Sequence, residues 1–413
     1  MTGPTDGVWI LGTAQTDFAR SVAREGLEVD ALVAEATRDA LDDAGIGAER
    51  VGVIHVGNAF GQLMTGQGHL GAMPATVDDA LWGVPSARHE AACASGSIAA
   101  LAAMADLESG RYDVALVLGV EVERSVPGDV AAQHLGAASW VGHEGAPRFV
   151  WPAQFSDLAD EYDRRYGLDE AHLRALSAQA FAQARDNPLA QTRDWRFTDA
   201  SFTADDHANP VVEGRTRRTD CSQVTDGAAA IVLASDRALR ADPGLLRPGR
   251  TARIEGWGHR TVGLPLAPKL ARSADDTHVL PHVRDTFRDA LDRAGQGAVD
   301  DLDAVEVHDC FAMSAYMAVD HIGITAPGDA WKAVEAGELA RDGRLPVNPG
   351  GGLIGGGHPV GATGVRMLAD ATRQVTGRAG ATQVDGARRV GTLNIGGSTA
   401  TTCAFVVAAT EED

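Results

Sequence analysis

Apolar residues fall along this chain in two spacings, and the alternation between them predicts its elements. Short apolar runs open the chain at Val8-Trp9-Ile10-Leu11-Gly12 and return at Val53-Ile54-His55-Val56 and Val114-Ala115-Leu116-Val117-Leu118-Gly119, as in strands covered on both faces. Between them the pattern is helical, from Val29 to Ala44 with Gly45 as the stop and from Ala94 to Ser109 ahead of Gly110,. The same order comes back in the second half. Arg38-Asp39-Ala40-Leu41-Asp42-Asp43-Ala44-Gly45 reappears as Arg288-Asp289-Ala290-Leu291-Asp292-Arg293-Ala294-Gly295 with one mismatch. A strand at Ala304-Val305-Glu306-Val307, a helix from Gly361 to Val375 and a strand at Val390-Gly391-Thr392-Leu393 follow. The echo reads as a duplication, and alternating strands and helices imply an α/β fold of two similar halves packed through their central helices.

From Glu123 to Cys221 the pattern loosens into short helices with many aromatic residues, Trp140, Trp151, Phe155, Tyr162, Tyr166 and Trp195 among them. The stretch is too long for a connecting loop and reads as a cap over a site. A β-rich core resumes between Cys221 and Leu233. The division expected is an N-terminal half over residues 1–250, with the cap inserted at about 123–220, and a C-terminal half over 251–413.

Charge and cysteine usage narrow the classes. A formal net charge of −21, with Lys269 and Lys332 as the only lysines, repels phosphate backbones and excludes nucleic acid as a partner,. An anionic ligand has to be met by a local patch, for which Arg215, Arg217 and Arg218 are the substrate-binding candidates and a solvated loop the alternative,. Cys93, Cys221, Cys310 and Cys403 lie far apart with no Cys-x-x-Cys pair, so they read as reduced thiols of a cytoplasmic protein. Residues 1–6 carry no basic-then-apolar leader, and no apolar run approaches the ~20 residues of a membrane span,.

Four local patterns carry chemistry. Cys93, in Ala91-Ala92-Cys93-Ala94-Ser95-Gly96-Ser97, is predicted at the first turn of a small-residue helix, where unpaired N–H groups and the helix dipole favour a thiolate,; the alternative is a small buried hydrophobe. His358 follows a glycine-dense turn and precedes Pro359 at a helix start,. A phosphate loop there lacks its Gly-Lys-Ser/Thr ending. His308-Asp309-Cys310-Phe311 ends a strand, where α/β sheets place active groups,. With no third or fourth ligand at suitable spacing, no metal is expected. Finally, Thr392-Leu393-Asn394-Ile395-Gly396-Gly397 offers bare N–H groups after a strand, as an oxyanion site or a plain tight turn,.

With Asp226-Gly227-Ala228-Ala229 between them, the Cys93, His308 and Gly357-His358-Pro359 blocks make the chain resemble the thiolase family from near Val8 to Val407. The resemblance implies a five-layer α-β-α-β-α fold of duplicated halves with a loop domain. It implies a homodimer or homotetramer that acts on acyl-coenzyme A, with coenzyme A thioester as substrate and no further cofactor. Two departures stand out. Ordinary thiolases read Asn-Glu-Ala-Phe at the strand end and carry a second catalytic cysteine where this chain has Asn394. The pattern is similar to the sterol-carrier type, in which the cysteine of the His-Asp-Cys-Phe block replaces the missing one. Cys403, in an apolar strand, is core.

By that resemblance His358 takes the Cys93 proton and an acyl-cysteine forms. The Cys93 and Gly396 amides hold tetrahedral oxyanions, His308 and His358 hold the enolate oxygen, and Cys310 is the base. Other readings are a decarboxylating ketoacyl synthase, an aromatic C-acylating enzyme, a partner-dependent aldolase and a noncatalytic scaffold. With the chain ending at Asp413, any lipid-transfer partner is expected to be separate.

Overall fold

The computed structural model describes residues 7–145 and 147–410, so the N-terminal reading and the end at Asp413 fall outside it. Nine strands form one mixed sheet: β1 Val8–Gln15, β2 Val53–Gly57, β3 Ser86–His89, β4 Val114–Glu121, β5 Gly227–Ser235, β6 Ala252–Thr261, β7 Ala304–Val307, β8 Arg389–Gly396 and β9 Thr401–Ala409. Their order is β3-β2-β4-β5-β1-β6-β9-β8-β7. Seven helices matter here: α1 Val29–Ala44, α2 Ser95–Glu108, α3 Val150–Tyr166, α4 Glu170–Ala184, α5 Pro281–Arg293, α6 Ala312–His321 and α7 Val360–Val375.

The strand order is a palindrome about its middle. β2-β4-β5-β1 is answered by β7-β8-β9-β6, with parallel, antiparallel and antiparallel pairings in the same sequence on both sides. The two halves of the sheet are joined where Val8–Ile10 of β1 pairs with Ala252–Ile254 of β6. Helix α1 covers β1 and β5, and α5 covers β6 and β9 in the matching place. Between the halves lie α2 and α7, with α7 touching β4 and β5 on one side and β8 and β9 on the other. Five layers result. Because α7 is walled in, its buried positions run continuously from Val360 to Ala369 instead of forming a stripe,.

The sequence echo has a structural counterpart. A Cβ on Gly12 of β1 would stand 2.2 Å from the Ala44 nitrogen and 2.6 Å from the Ala40 oxygen, and one on Gly256 of β6 would stand 2.0 Å from the Ala290 oxygen and 2.9 Å from the Ala294 nitrogen. Each half therefore uses a glycine to bring strand and helix backbones together at equivalent places in the repeated octapeptide. Backbone cannot give way as a side chain does. Gly12→Ala and Gly256→Ala are expected to cost about 1–3 kcal/mol each, measured as a lower thermal midpoint. Gly263→Ala, with open space around it, is the unaffected control.

The cap differs from expectation. Instead of short helices only, it contains α3 with 17 residues and α4 with 15, plus a hairpin of Val211–Glu213 and Thr216–Arg217. Phe155, Leu158, Tyr162, Leu176 and Phe181 from the cap share one apolar core with Phe311, Met313 and Tyr316 of the second half. The cap is thus inserted in the first half of the chain and packed on the second.

Candidate active site

Cys93 lies two residues ahead of α2, outside its first turn, after Ala92 with φ of 50°. A left-handed alanine costs energy and persists where its surroundings fix it. Ser95 fixes it, since its Oγ donates to the Ala92 carbonyl at 2.6 Å and accepts from the Ala91 N–H at 2.9 Å. Two amides, that of Cys93 itself and that of Gly397, donate toward the sulfur. They do not make it a thiolate. Burial, with the carboxyls of Glu123 and Glu121 nearby, pushes the thiol up to about 12, which corrects the expectation of a thiolate favoured by the helix end. Gly396, whose amide is expected from sequence, stands opposite Thr401 in the β8–β9 register; the second amide directed at the sulfur is that of Gly397.

His358 precedes α7 as Cys93 precedes α2, and those two helices are in contact. The approach depends on Gly96 and Gly364: a Cβ on Gly96 would sit 2.8 Å from the Gly361 oxygen and 2.9 Å from the Val365 nitrogen, and one on Gly364 2.4 Å from the Ser97 nitrogen. Thr225 accepts the His358 N–H at 2.8 Å, and the ring Nδ1 lies 2.7 Å from Thr363 Oγ1. Its Nε2 is buried without a partner. The first amides of α7 are taken by carboxyls from the end of β4: Val360 N–H donates to Glu123 at 2.9 Å and Gly361 N–H to Glu121 at 3.1 Å. Burial, with Arg366 nearby, brings His358 down to about 3, so it rests as a neutral imidazole.

At the end of β7, each residue of the His308 block has its own task. Asp309 accepts the Leu353 N–H at 2.6 Å, pinning the short helix Gly352–Gly356 that leads to His358. Cys310 is buried, with its sulfur 3.8 Å from Ser314 Oγ. Burial and the neighbouring Cys93 sulfur raise its pKa well above the ordinary thiol range. His308 is buried, and burial, His358 and Arg366 push it well below the ordinary histidine range. Its Nδ1 lies 2.9 Å from Asn394 Nδ2.

The Cys93 sulfur and one ring nitrogen from each of His308 and His358 lie within 4.8 Å of one another. The two rings meet edge to face, 5.1 Å between centroids. Residues remote in sequence thus supply the donors whose absence argued against a metal at His308. Over the group opens a cavity of about 270 Å³ lined by Cys93, Cys310 and His358 and by Leu135, Phe149, Trp151, Phe155 and Phe311. Most of its lining is apolar, with Glu123, Arg218, Ser222 and Gln223 as further polar members.

Comparison with known proteins bears on the family and the fold. Residues 8–193 match the N-terminal domain of thiolase and residues 268–409 a thiolase C-terminal domain-like family. An acetyl-CoA acetyltransferase of Methanothermobacter thermautotrophicus is 31% identical over 97% of this chain and 98% of its own length. The chain belongs to the thiolase family. Sterol carrier protein 2 of Gallus gallus is 26% identical over 94% of this chain and 69% of its own length. Two solved structures share the thiolase fold over 98% of this chain and 99% of theirs. The Ltp2-ChsH2(DUF35) aldolase superposes with a TM-score of 0.76 at 21% identity, and an acetyl-CoA acetyltransferase from Syntrophomonas wolfei with 0.69 at 19%.

Within this thiolase-family site the arginine patch divides. Arg215 is engaged by Glu170, Asp163 and Asp160, and Arg217 by Asp206 and the Asn209 carbonyl. Only Arg218 of the three lines the cavity, and it is exposed. The acidic partners of Arg215 come from the cap helices and that of Arg217 from the cap loop at Asp206, so the sequence around these two residues could not reveal their neutralisation. Cys403 is core, fully buried in β9. Sequence reasoning missed Thr363, Glu121 and Glu123, and it read Asn394 only as a departure. A polar residue two positions from Gly396 in an apolar strand was the available signal. Among the described residues no helix is long and apolar enough to cross a membrane.

Proposed function

We propose that this protein is an acyl-CoA C-acyltransferase that cleaves or forms 3-ketoacyl-CoA through an acyl group on Cys93. The observation that carries this reading is the meeting of the Cys93 sulfur with His308 and His358 within 4.8 Å beneath an apolar cavity. In thiolysis the Cys93 proton passes to His358 Nε2 as the sulfur attacks the C3 carbonyl. The Cys93 and Gly397 amides hold the oxyanion, with Gly396 as the further amide that the resemblance implies. Cleavage of the C2–C3 bond releases the enolate of acetyl-CoA, and His308 donates to its oxygen. Cys310 delivers the proton to its α-carbon.

Free coenzyme A then attacks acyl-Cys93. Its thiol proton restores Cys310, and the departing Cys93 sulfur recovers its own from His358. Both thiols start and finish protonated, as their raised pKa values require. The apolar lining of Phe149, Trp151 and Phe155 suits a hydrocarbon acyl chain, and Arg218, which lines the same cavity, is the residue assigned here to a phosphate of coenzyme A.

Thiolysis of 3-ketoacyl-CoA of increasing chain length, followed as consumption of free coenzyme A, tests the reading. Arg218→Ala is expected to raise KM about fivefold with kcat retained, on the order of 1 kcal/mol for an exposed charge pair. Likeness to the Ltp2-ChsH2(DUF35) aldolase supports a second reading, aldol cleavage in company with a partner subunit. Aldol cleavage with no coenzyme A consumed would favour it, and carbon dioxide release from malonyl-CoA would favour a ketoacyl synthase.

A further inference from the structure

We propose that the two active-site histidines are held in opposite neutral tautomers, and that Asn394 is the positioning residue that makes His308 a standing hydrogen-bond donor toward the substrate. The inference rests on the acyl-transfer reading and assigns a role to a residue that chemistry leaves idle. Asn394 lies on β8, fully buried, and its orientation is settled by its neighbours. Its Nδ2 lies 3.2 Å from the Cys93 carbonyl oxygen. A carbonyl only accepts, so this end of the amide is the NH₂. Its Oδ1 accepts from Ser97 Oγ at 2.7 Å. The second amide hydrogen is left for His308 Nδ1 at 2.9 Å.

A ring nitrogen that accepts carries no proton. His308 is buried and held neutral, so its one proton is on Nε2, the nitrogen left for the site. His358 is set the other way. Thr363 Oγ1 donates to the Pro359 carbonyl at 3.1 Å, leaving its lone pair for Nδ1–H of His358 at 2.7 Å. The His358 Nε2 is then bare, and it is the buried atom without a partner. One ring can take the proton from sulfur while the other already donates to the carbonyl or enolate oxygen. No reorganisation separates the two tasks, as preorganised electrostatic stabilisation requires.

Neutron diffraction from deuterium-exchanged crystals of the native protein tests this directly. A deuteron on Nε2 and none on Nδ1 of His308, with the reverse on His358, is expected. A deuteron on Nδ1 of His308 overturns the proposal. Asn394→Asp supplies the functional arm, because its carboxylate accepts from Nδ1–H and leaves Nε2 bare. Condensation of acetyl-CoA is expected to fall about 10²- to 10³-fold, the loss typical of one oxyanion donor. Acylation of Cys93 persists, because its oxyanion is held by backbone amides. A folded variant with unimpaired condensation overturns the proposal. Should the variant fail to fold or lose both steps, the neutron map of the native protein decides. Failure of native Cys93 to acylate would remove the acyl-transfer reading while leaving the tautomer pattern standing.

Discussion

His358→Ala is expected to slow acylation of Cys93 by about 10²- to 10⁴-fold, the range for a lost general base. The reason lies in the resting protonation states. With the Cys93 thiol near 12 and His358 near 3, the resting pair is thiol and neutral imidazole. The proton therefore moves as sulfur attacks. Without His358 the only nucleophile is the small pre-ionised fraction. Since that fraction grows tenfold with each pH unit below the thiol pKa, the variant's acylation rate should climb steadily from neutral pH toward about 12. The native protein lacks this steep dependence, because His358 stays neutral above about 3 and remains available as base. Single-turnover release of coenzyme A from an acyl-CoA, across pH, measures both. An unchanged rate, or a variant profile flat in pH, would contradict this role.

Cys310→Ala is expected to separate the half-reactions. Thiolysis and condensation both need a proton moved at the α-carbon of acetyl-CoA, and losing that group costs about 10²- to 10⁴-fold. Acylation of Cys93 from a simple acyl-CoA breaks no carbon–carbon bond and should persist. The Ala side chain also removes the sulfur contact with Ser314, which keeps its bonds to the His308 and Phe311 carbonyls at 2.8 and 2.7 Å. The turn after β7 is thereby retained. Equal loss of both steps would argue that Cys310 supports Cys93 and does not move the substrate proton. Rapid-quench measurement of acyl-enzyme beside steady-state thiolysis distinguishes these outcomes.

What the sequence disclosed and what it withheld follow from the range of the interactions. The Arg38–Gly45 and Arg288–Gly295 echo was legible because a duplicated strand–helix contact needs the same residues twice, and Gly12 and Gly256 repeat it in space. Cys93, His308 and His358 were legible because each stands beside an element boundary with local punctuation. The Cys93 protonation state was not, because it depends on burial and on Glu123 and Glu121 at the end of β4. Arg215 and Arg217 looked like a patch for an anion until α3, α4 and the cap loops brought acids to them. The Asn394 contact with His308 joins neighbouring strands β8 and β7 just past their paired residues, and no spacing along the chain announces it.

A covalent acyl group on Cys93 should be visible by intact-protein mass spectrometry after brief exposure to acetyl-CoA. A gain of one acetyl group, mapped by peptide analysis to Cys93 and absent from Cys93→Ala, is the predicted result. No adduct, or an adduct on Cys221 or Cys310 with Cys93 unmodified, would contradict it.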